Sequence, residues 1–302
     1  MNKYKIIFKL QTTCILLIFF MIVFILSGCV VSQQTTSDSS TNTGGYFEIH
    51  AIDVGQADAY LVIGNRGSTA LIDCGNIGDF KTIDQYLKKA KVTKLDYFFL
   101  SHAHEDHAGC ADKIIQNYTV EQILISEKPS SAKFYQRFLM AVKDKGKKVA
   151  VPKANHQFEL DDGVFTILGP VETYEDMNNA SLVFRLDYQK NSMLFTGDAE
   201  YKNRSDLLKT RANLDVDVLK ASHHGANNGV FDSEKNDKSN WLDAVSPEAV
   251  IFSVGSDNDY GHPDKKALEW YQREASSVYR TDMNGSIIIR FSGQDIWINS
   301  ER

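Results

Sequence analysis

The stretch "SHAHEDHAGC" at 101–110 places three histidines and two acids within six positions. His102, His104, Asp106 and His107 offer imidazoles and a carboxylate but no thiolate. That donor set suits Zn²⁺, Mn²⁺ or Fe²⁺ rather than a cysteine-rich structural zinc site. Four ligands in six residues exceed what one tetrahedral ion usually takes from a single loop. The spacing therefore favours two neighbouring divalent ions, Zn²⁺ first and Mn²⁺ as the alternative.

Two ions need a bridging carboxylate and further ligands from elsewhere in the chain. The segment "FTGDAE" offers Asp198, and "KASHHGA" offers His223 or His224. Both segments come directly after strand patterns, where a strand end presents a side chain to a common edge. Adjacent side chains on extended chain point in opposite directions, so we expect only one histidine of the pair to be a ligand.

The elements that must position these residues have the patterns of short strands and amphipathic helices. An antiparallel meander is predicted from "YFEIHAIDV", "AYLVIG" and "TALIDCG", and "LDYFFLS" predicts a buried strand that delivers the chain to His102. Further strands are predicted from "FTILGP", "SLVFRLDY", "SMLFTGD", "DVDVLKAS" and "AVIFSVG", and a hairpin from "NGSIIIRFSGQDIWIN". Helical patterns occur in "TIDQYLKKA", "FYQRFLMAV" and "HPDKKALEWYQRE". We expect one α+β domain over 46–302, with two packed sheets covered by helices.

The N-terminal segment has the pattern of a secretory signal. Three lysines without an acid precede the apolar run "ILLIFFMIVFIL", and "LSGC" then ends at Cys29. This ending resembles the lipobox of bacterial lipoproteins, which implies that residues 1–28 are cleaved as a signal peptide and that Cys29 is acylated. The polar residues of 29–45 would form a flexible tether. The alternative is an uncleaved membrane anchor over 9–26; either way we expect the domain on the extracytoplasmic face of the cell membrane.

Charge and cysteine content limit the function classes further. The formal net charge is −6, and removal of 1–28 would remove three lysines and make it −9. Such a balance argues against a protein that coats nucleic acid by bulk charge, although it permits a local cationic site built from metal. Only Cys74 and Cys110 remain in the domain, either as a disulfide or as buried thiols.

Eight segments, in order, resemble a known family: "IDVGQADA", "LIDCG", "SHAHEDHAG", "NNASLVF", "FTGDAE", "DVLKASHHGA", "YGHP" and "YRTDMNGSI". They are similar to the metallo-β-lactamase fold and, more narrowly, to the hydrolase domain of ComEC-type competence proteins. The resemblance extends from about residue 47 to about residue 289. It leads us to expect that hydrolase domain alone, on a lipid tether, without the membrane channel that accompanies it in ComEC.

The resemblance implies an αββα sandwich with two metal ions at one edge of the sheets. His102 and His104 would hold the first ion, Asp106 and His107 the second, and Asp198 would bridge them. His224 would complete the second ion, which leaves His223 as an alternative ligand or a substrate contact. Many family members place another histidine on the first ion where this chain has Asn178 and Asn179, so the first ion would have fewer strong ligands.

The implied ions define a chemistry. A water between two cations loses a proton near neutral pH and becomes a hydroxide nucleophile, and the same cations stabilise the charge that develops on a phosphodiester. Asp106 would orient the water as well as bind metal, and Lys220 or His262 would meet the phosphate or assist the leaving oxygen. Four further residues are expected around the ligands: Asp58 and Asp73 as hydrogen-bond partners that orient histidines, and Asn179 and Ser181 as turn caps or substrate contacts.

Three functions are compatible with this set of residues. The first is a membrane-tethered, metal-dependent phosphodiesterase or nuclease that acts on DNA or nucleotides. The second is hydrolysis of another envelope ester, such as phosphorylcholine or a lactone. The third is a non-catalytic lipoprotein that binds metal. The sequence indicates a phosphodiester substrate and a lipid membrane as partners, and no motif in it points to a protein partner.

Overall fold

Two β-sheets stacked face to face form the centre of the structure, and helices cover their outer faces. The computed structural model describes residues 45–302 except 234 and 236. The predicted signal peptide (1–28), Cys29 and all but the last residue of the 29–45 tether lie outside the described residues. Within the described residues, every helix is too short or too polar to cross a lipid bilayer.

The strands are, in chain order, β1 (Phe47–Ala51), β2 (Tyr60–Ile63), β3 (Thr69–Ile72), β4 (Lys94–Leu100), β5 (Thr119–Ile125), β6 (Val149–Ala150), β7 (Gln157–Leu160), β8 (Gly163–Gly169), β9 (Val183–Tyr188), β10 (Asn191–Phe195), β11 (Val218–Lys220), β12 (Ala249–Phe252), β13 (Ser277–Arg280), β14 (Ile287–Phe291) and β15 (Ile296–Ser300). The first sheet has the order β15-β14-β1-β2-β3-β4-β5-β6, and the second has the order β13-β12-β11-β10-β9-β8-β7. The predicted meander β1-β2-β3 and the hairpin β14-β15 are both antiparallel, which confirms those two expectations.

The helices are α1 (Phe80–Lys89), α2 (Glu105–Ala108), α3 (Ala111–Asn117), α4 (Lys133–Asp144), α5 (Tyr201–Leu208), α6 (Asn240–Val245), α7 (Lys265–Glu274) and α8 (Thr281–Asn284). One group of buried side chains packs α1, α3 and α4 on the first sheet, and another packs α5, α6 and α7 on the second. Between them lies a third apolar layer, which fills the space between the sheets. The predicted sandwich of two sheets covered by helices is confirmed.

Strand β9 shows how the sequence pattern produces this layering. Phe184 and Leu186 point into the layer between the sheets, whereas Val183 packs under the helices of the second sheet. Arg185 and Asp187, on the same side as Val183, are partly exposed. The alternation of side chains along a strand therefore fixes which face of β9 is buried between the sheets.

Phe184 lies at the centre of an aromatic group between the sheets. Its ring stacks on Phe99 at 5.0 Å and on Phe195 at 5.2 Å between ring centroids. These contacts join β4 of the first sheet to β9 and β10 of the second. Both β4 and β10 lead directly to predicted metal ligands, so this aromatic group also fixes the spacing of the loops that carry those ligands.

We predict that Phe184→Ala lowers the free energy of unfolding by about 3–5 kcal/mol, because it leaves a cavity where two stacked rings lose their partner. Urea unfolding of the full chain, followed by circular dichroism, measures the change. Met140→Ala is the control, since Met140 is 59% exposed on α4 and should change stability by no more than about 0.5 kcal/mol. Equal midpoints for the wild type and Phe184→Ala would contradict this account of the core.

Candidate metal centre

The candidate ligands come from loops that follow strands at one edge of the sandwich. The loop after β4 carries the residues of 102–107, and the turn after β10 carries Asp198. A 3-10 turn after β11, Ser222–Gly225, carries the two adjacent histidines. Strands β10, β11 and β12 run parallel to one another, so their carboxyl ends open at the same edge.

Four of the predicted ligands converge on one point. One donor atom from each of Asp106, His107, Asp198 and His224 lies within 4.8 Å of the other three. His224 Nε2 is 3.2 Å from Asp106 Oδ2, and His107 Nε2 is 3.2 Å from Asp198 Oδ1. These are the residues expected to hold the second ion together with the bridging carboxylate.

The remaining histidines gather around the other oxygen of Asp198. His102 Nε2 and His223 Nε2 each lie 3.8 Å from Asp198 Oδ2, and His104 Nδ1 lies 3.0 Å from His102 Nε2. The two carboxylate oxygens of Asp198 thus face different groups of imidazoles. This arrangement suits a carboxylate that bridges two cations.

The conformation at the histidine pair differs from the extended chain that we expected. His223 and His224 have φ angles of 50° and 54°, in the left-handed region, and form part of the 3-10 turn. Their rings still face different surroundings. His224 is buried and its Nδ1 hydrogen-bonds to the Ser253 carbonyl oxygen at 2.7 Å, so Nε2 faces Asp106. His223 is more exposed, and its Nδ1 contacts Asn228 Oδ1 at 3.0 Å.

The buried donor atoms fit a divalent cation. Among the described residues, His107 Nε2 and Asp198 Oδ1 are fully buried and have no hydrogen-bond partner, although they lie only 3.2 Å apart. Buried polar atoms are nearly always satisfied, and imidazole nitrogen with carboxylate oxygen is the donor set of Zn²⁺, Mn²⁺ and Fe²⁺. A cation between these atoms would satisfy both.

The electrostatics of the centre point the same way. Burial disfavours a charged His107, but the carboxylates of Asp198 and Asp106 outweigh burial and raise the pKa of His107 well above its usual range. Burial would raise the pKa of Asp198, yet His107, His224 and His223 hold that pKa well below its usual range. Burial and the neighbouring His107 lower the pKa of His102, which keeps this imidazole in its neutral, metal-binding form. The centre therefore stabilises positive charge next to Asp198.

Asp73 orients His107 through the nitrogen that faces away from the cluster. Its Oδ2 accepts a hydrogen bond from His107 Nδ1 at 2.8 Å, and Ser101 donates to both of its oxygens at 2.7 Å. These bonds fix the ring so that Nε2 faces Asp198. Asp73 thus makes the contacts of an orienting partner, and that role stays a prediction, since Asp58, Asp73 and His107 also lie close enough together to hold a cation.

Asp58 lies beside the same ring but pairs mainly with Lys220. The Lys220 ammonium is 2.6 Å from Asp58 Oδ2 and donates to the Gly197 carbonyl oxygen at 2.9 Å. Its distance from Asp198 Oδ1 is 3.6 Å, and the residue is only 1% exposed. In this position Lys220 balances the charges of Asp58 and Asp198. It is too deeply buried to favour the predicted contact with a substrate phosphate.

His262 lies at the open side of the cluster. Its ring centroid is 5.6 Å from that of His223, the side chain is half-buried, and Nδ1 has no hydrogen-bond partner within the described residues. Burial, together with His223 and His224, lowers the pKa of His262, so the ring is neutral near physiological pH. His262 is thus next to the region where a substrate would meet His223.

Asn179 and Ser181 support the turn that carries Asp198. Asn179 is buried, and its side chain donates to Asp176 and accepts from the Asn203 backbone at 3.0 Å. Ser181 Oγ accepts a hydrogen bond from the Asp198 backbone at 3.1 Å. Of the two roles left open for these residues, the contacts favour the structural one.

Three residues of the site were missed by the sequence analysis. Ser101 bonds Asp73, and Glu200 Oε1 lies 3.5 Å from His223 Nδ1 and accepts from Asn178 at 2.8 Å. Arg204 is fully buried and donates to backbone carbonyls on both sides of the cluster, including those of Ala199 and Val230. Ser101 and Glu200 stand next to predicted ligands in sequence, whereas nothing in the sequence around Arg204 marks it.

The two cysteines of the domain are both free and buried. Cys110 Sγ donates a hydrogen bond to the Cys74 carbonyl oxygen at 2.7 Å. Of the two states left open by the sequence, the structure has the thiols.

Comparison with known proteins gives consistent matches. Residues 52–239 match the family description "Metallo-beta-lactamase superfamily". The chain is 27% identical to ComE operon protein 3 of Bacillus subtilis over 266 residues, which are 82% of this chain and 33% of that protein. It is 29% identical to Recombination protein 2 of Haemophilus influenzae, over 85% of this chain and 30% of that protein, and 30% identical to competence protein ComA of Neisseria gonorrhoeae, over 78% and 31%. The chain thus spans about a third of the length of these relatives.

Solved structures agree on the fold. The metallo-beta-lactamase fold protein YhfI from Bacillus subtilis has a TM-score of 0.55 at 13% identity, covering 82% of this chain and all of that one. CmlA, a diiron beta-hydroxylase from Streptomyces venezuelae, has a TM-score of 0.53 at 14% identity, covering 82% of this chain and 55% of that one. At such low identity the likeness concerns the arrangement of sheets and helices alone.

We predict that Asp73→Asn weakens binding of the more tightly held divalent ion by about 10- to 100-fold, because His107 loses its orienting carboxylate. Competition with a chromophoric chelator, using the full chain and Zn²⁺, measures this affinity. Asp162→Asn is the matched control, since Asp162 lies in the turn between β7 and β8 with a half-exposed side chain. Unchanged zinc affinity in a folded Asp73→Asn variant would remove Asp73 from the metal centre.

Proposed function

Because this chain belongs to the metallo-beta-lactamase superfamily, we propose that it is a metal-dependent hydrolase whose substrate is a phosphodiester, DNA or nucleotides first among them. One observation carries the proposal. Asp198 is buried between two groups of imidazoles, and each of its oxygens faces one group. Among the described residues, Asp198 Oδ1 and His107 Nε2 have no hydrogen-bond partner. A centre for two cations supports hydrolysis of a phosphodiester, because paired cations stabilise both the attacking and the leaving oxygen.

The residues that would hold the cations follow from these distances. His102 and His104 would bind one cation, and Asp106, His107 and His224 the other, with Asp198 shared. When bound, divalent cations supply Lewis acidity toward a phosphoryl oxygen and make water more acidic. His223 lies close enough to Asp198 Oδ2 to contribute a further nitrogen on the side of His102.

The side chains around the cluster have separate tasks in this proposal. Asp106 is the most exposed carboxylate of the group, with 29% of its side chain accessible, whereas Asp198 is 2% accessible. Asp106 is therefore the carboxylate that can orient a water approaching out of solvent by accepting a hydrogen bond from it. The neutral His262 imidazole, beside His223, is placed to donate a hydrogen bond to the oxygen of the departing group.

A cavity of about 420 Å³ opens beside His104 and gives a substrate access to the cluster. Lys128, Ser130 and Asn178 line it, together with Glu200. Its volume is within the range usual for a small-molecule site. The names of the relatives, which include a recombination protein and a competence protein, support nucleic acid as the substrate class.

We further propose that the domain acts at the extracytoplasmic face of a membrane, held by lipid on Cys29. The support is the sequence of the N-terminal segment, with its basic start, apolar run and "LSGC" ending. Such a tether would hold the negatively charged domain beside the membrane, so that a polyanionic substrate would have to be brought to that surface.

We predict that the full chain, stripped of metal and resupplied with Zn²⁺ or Mn²⁺, cleaves single-stranded DNA and bis-(p-nitrophenyl) phosphate. Asp106→Ala should lower kcat/KM for both by at least about a hundredfold, because the variant loses a metal ligand and the carboxylate that orients the water. Asp162→Asn serves as the control and should keep the wild-type rates. Cleavage of the small diester without DNA would move the substrate to other envelope esters; no cleavage by metal-loaded protein would refute the proposed reaction.

A further inference from the structure

Tyr260 projects from the loop between β12 and α7, at the rim of the metal centre. It is 73% exposed, more than any other large apolar or aromatic side chain in the described part of the chain. The ring is stacked on His262, with 5.7 Å between centroids and 24° between planes. The outer face of the Tyr260 ring is therefore open to solvent, while its contact with His262 holds the ring in one orientation.

The two stacked rings form a path from solvent to the bridging carboxylate. The His262 ring is 5.6 Å from that of His223, and His223 Nε2 is 3.8 Å from Asp198 Oδ2. A group bound on Tyr260 would therefore lie on the His223 side of the cluster, with the His262 and His223 rings between it and Asp198. The position suits a part of the substrate beyond the scissile bond rather than the scissile bond itself.

The loop that carries Tyr260 is built to hold one shape. Asn258 Nδ2 donates to the carbonyl oxygens of Gly255 and His262, at 2.9 and 2.6 Å, and Asn258 Oδ1 accepts from the His262 backbone at 3.0 Å. The Gly255 backbone in turn donates to Gln56 Oε1 at 3.1 Å, which ties the loop to the segment between β1 and β2. A fixed ring binds a flat ligand with less loss of conformational entropy than a mobile one does.

A cavity of about 560 Å³ lies beside this loop, and its lining does not suit a phosphate. Arg280 lines it, but the guanidinium is already paired with Asp282 at 2.6 Å. Asp257 also lines the cavity and is exposed, and Met283, which is 65% exposed, adds an apolar wall. The balance of acid, paired arginine and apolar surface favours an uncharged group that carries hydrogen-bond donors. Tyr260 itself does not line the cavity, which borders the loop through Gly261 and His262.

We propose that Tyr260 and His262 form a stacking platform for a nucleobase next to the scissile phosphodiester. Nucleobases are flat and neutral and carry N–H donors, and stacking on aromatic side chains is a common way to bind single strands without sequence preference. This inference rests on the proposed phosphodiesterase function and narrows its substrate to nucleic acid or nucleotides. The platform distinguishes such substrates from envelope esters that lack a base.

The experiment compares two substrates with equal numbers of phosphates: an oligothymidylate and an oligomer of abasic deoxyribose residues. Using the metal-loaded full chain, kcat and KM are measured for both with the wild type, Tyr260→Ala and Tyr260→Phe. The measured quantity is the ratio of kcat/KM for the thymidylate to kcat/KM for the abasic oligomer. Fluorescence anisotropy of both labelled oligomers, bound to the same variants in an Asp106→Ala background, gives a readout independent of turnover.

We expect Tyr260→Ala to lower the ratio by about tenfold, chiefly through KM, because loss of one base-stacking ring typically has an effect of that order. Tyr260→Phe should keep the wild-type ratio, since it retains the ring. Trp297→Ala, which removes a partly exposed aromatic side chain from β15, should also keep it. The anisotropy affinities should change in parallel.

Two results would overturn the platform: a wild-type ratio near one, or an equal loss for both oligomers in Tyr260→Ala. The base-free diester methyl p-nitrophenyl phosphate separates these results from failure of the underlying reaction. Hydrolysis of that diester without any effect of Tyr260 on the ratio leaves a phosphodiesterase that does not read bases. If neither the oligomers nor the diester is cleaved with Zn²⁺ or Mn²⁺, the proposed reaction fails and the platform with it.

Discussion

The buried carboxylate of Asp198 is the constraint on which the rest of the structure depends. It is 2% exposed, and Asp58 and Asp73, both 1% exposed, are buried nearby. Carboxylates brought together away from water repel one another, and each loses solvation, so their burial is unfavourable unless positive charge accompanies them. Imidazoles on one side and the Lys220 ammonium on the other supply part of that charge, and divalent cations bound at the cluster would supply the rest. A metal centre is the arrangement in which all of these costs are offset together.

The protein holds the cluster in place with hydrogen bonds between side chains and the backbone of the loops that carry the ligands. Ser181 and Ser222 fix the turn around Asp198 from both sides, because Ser181 accepts from its backbone and Ser222 donates to the Ala199 carbonyl oxygen. Arg204 binds that same carbonyl and three more on the segment after the histidine pair. No hydrogen bond or ion pair of Arg204 within the described residues involves a carboxylate, and burial lowers its pKa to about 10. Burial of the Arg204 guanidinium costs desolvation free energy. Its hydrogen bonds offset that cost, and they join the turn after β10 to the segment that follows the histidine pair.

Prediction from sequence succeeded where the relevant interactions are local. The ligands of 102–107 share one loop, and Asp198 follows a strand pattern at once, so residue type and spacing were sufficient to group them. The elements with strong periodicity, such as β4 and α4, were found for the same reason. Strands β5 and β13 were not predicted, although β5 is seven residues long. The short strands β6 and β7 were missed because they are two and four residues long and carry little pattern. Their place in the sheets comes from pairing with β5 and β8.

The parts that escaped prediction depend on contacts between distant segments. Lys220 looked like a cation available to a phosphate, and only the approach of Asp58 from the first sheet shows that its charge is already used. The histidine pair was assigned by an argument about extended chain, whereas a left-handed turn separates the two rings. In both cases the residue type identified a member of the site, but the sequence did not show its contacts. The charge partner of Lys220 comes from the other sheet, and the orientation of the two histidines comes from the turn.

The negative charge of the chain limits how the centre could attract an anionic substrate. A chain with a formal net charge of −6 repels a polyanion at long range, so electrostatic steering cannot concentrate nucleic acid on it. Under the proposed function, attraction would then arise at short range, from cations bound beside Asp198 and from contact with the exposed Tyr260 ring. Lys128, the lysine of the cavity beside His104, is itself 3.2 Å from Glu175, so its charge is already partly balanced. A centre of this kind would depend on a substrate that is brought close by other means than the charge of the chain.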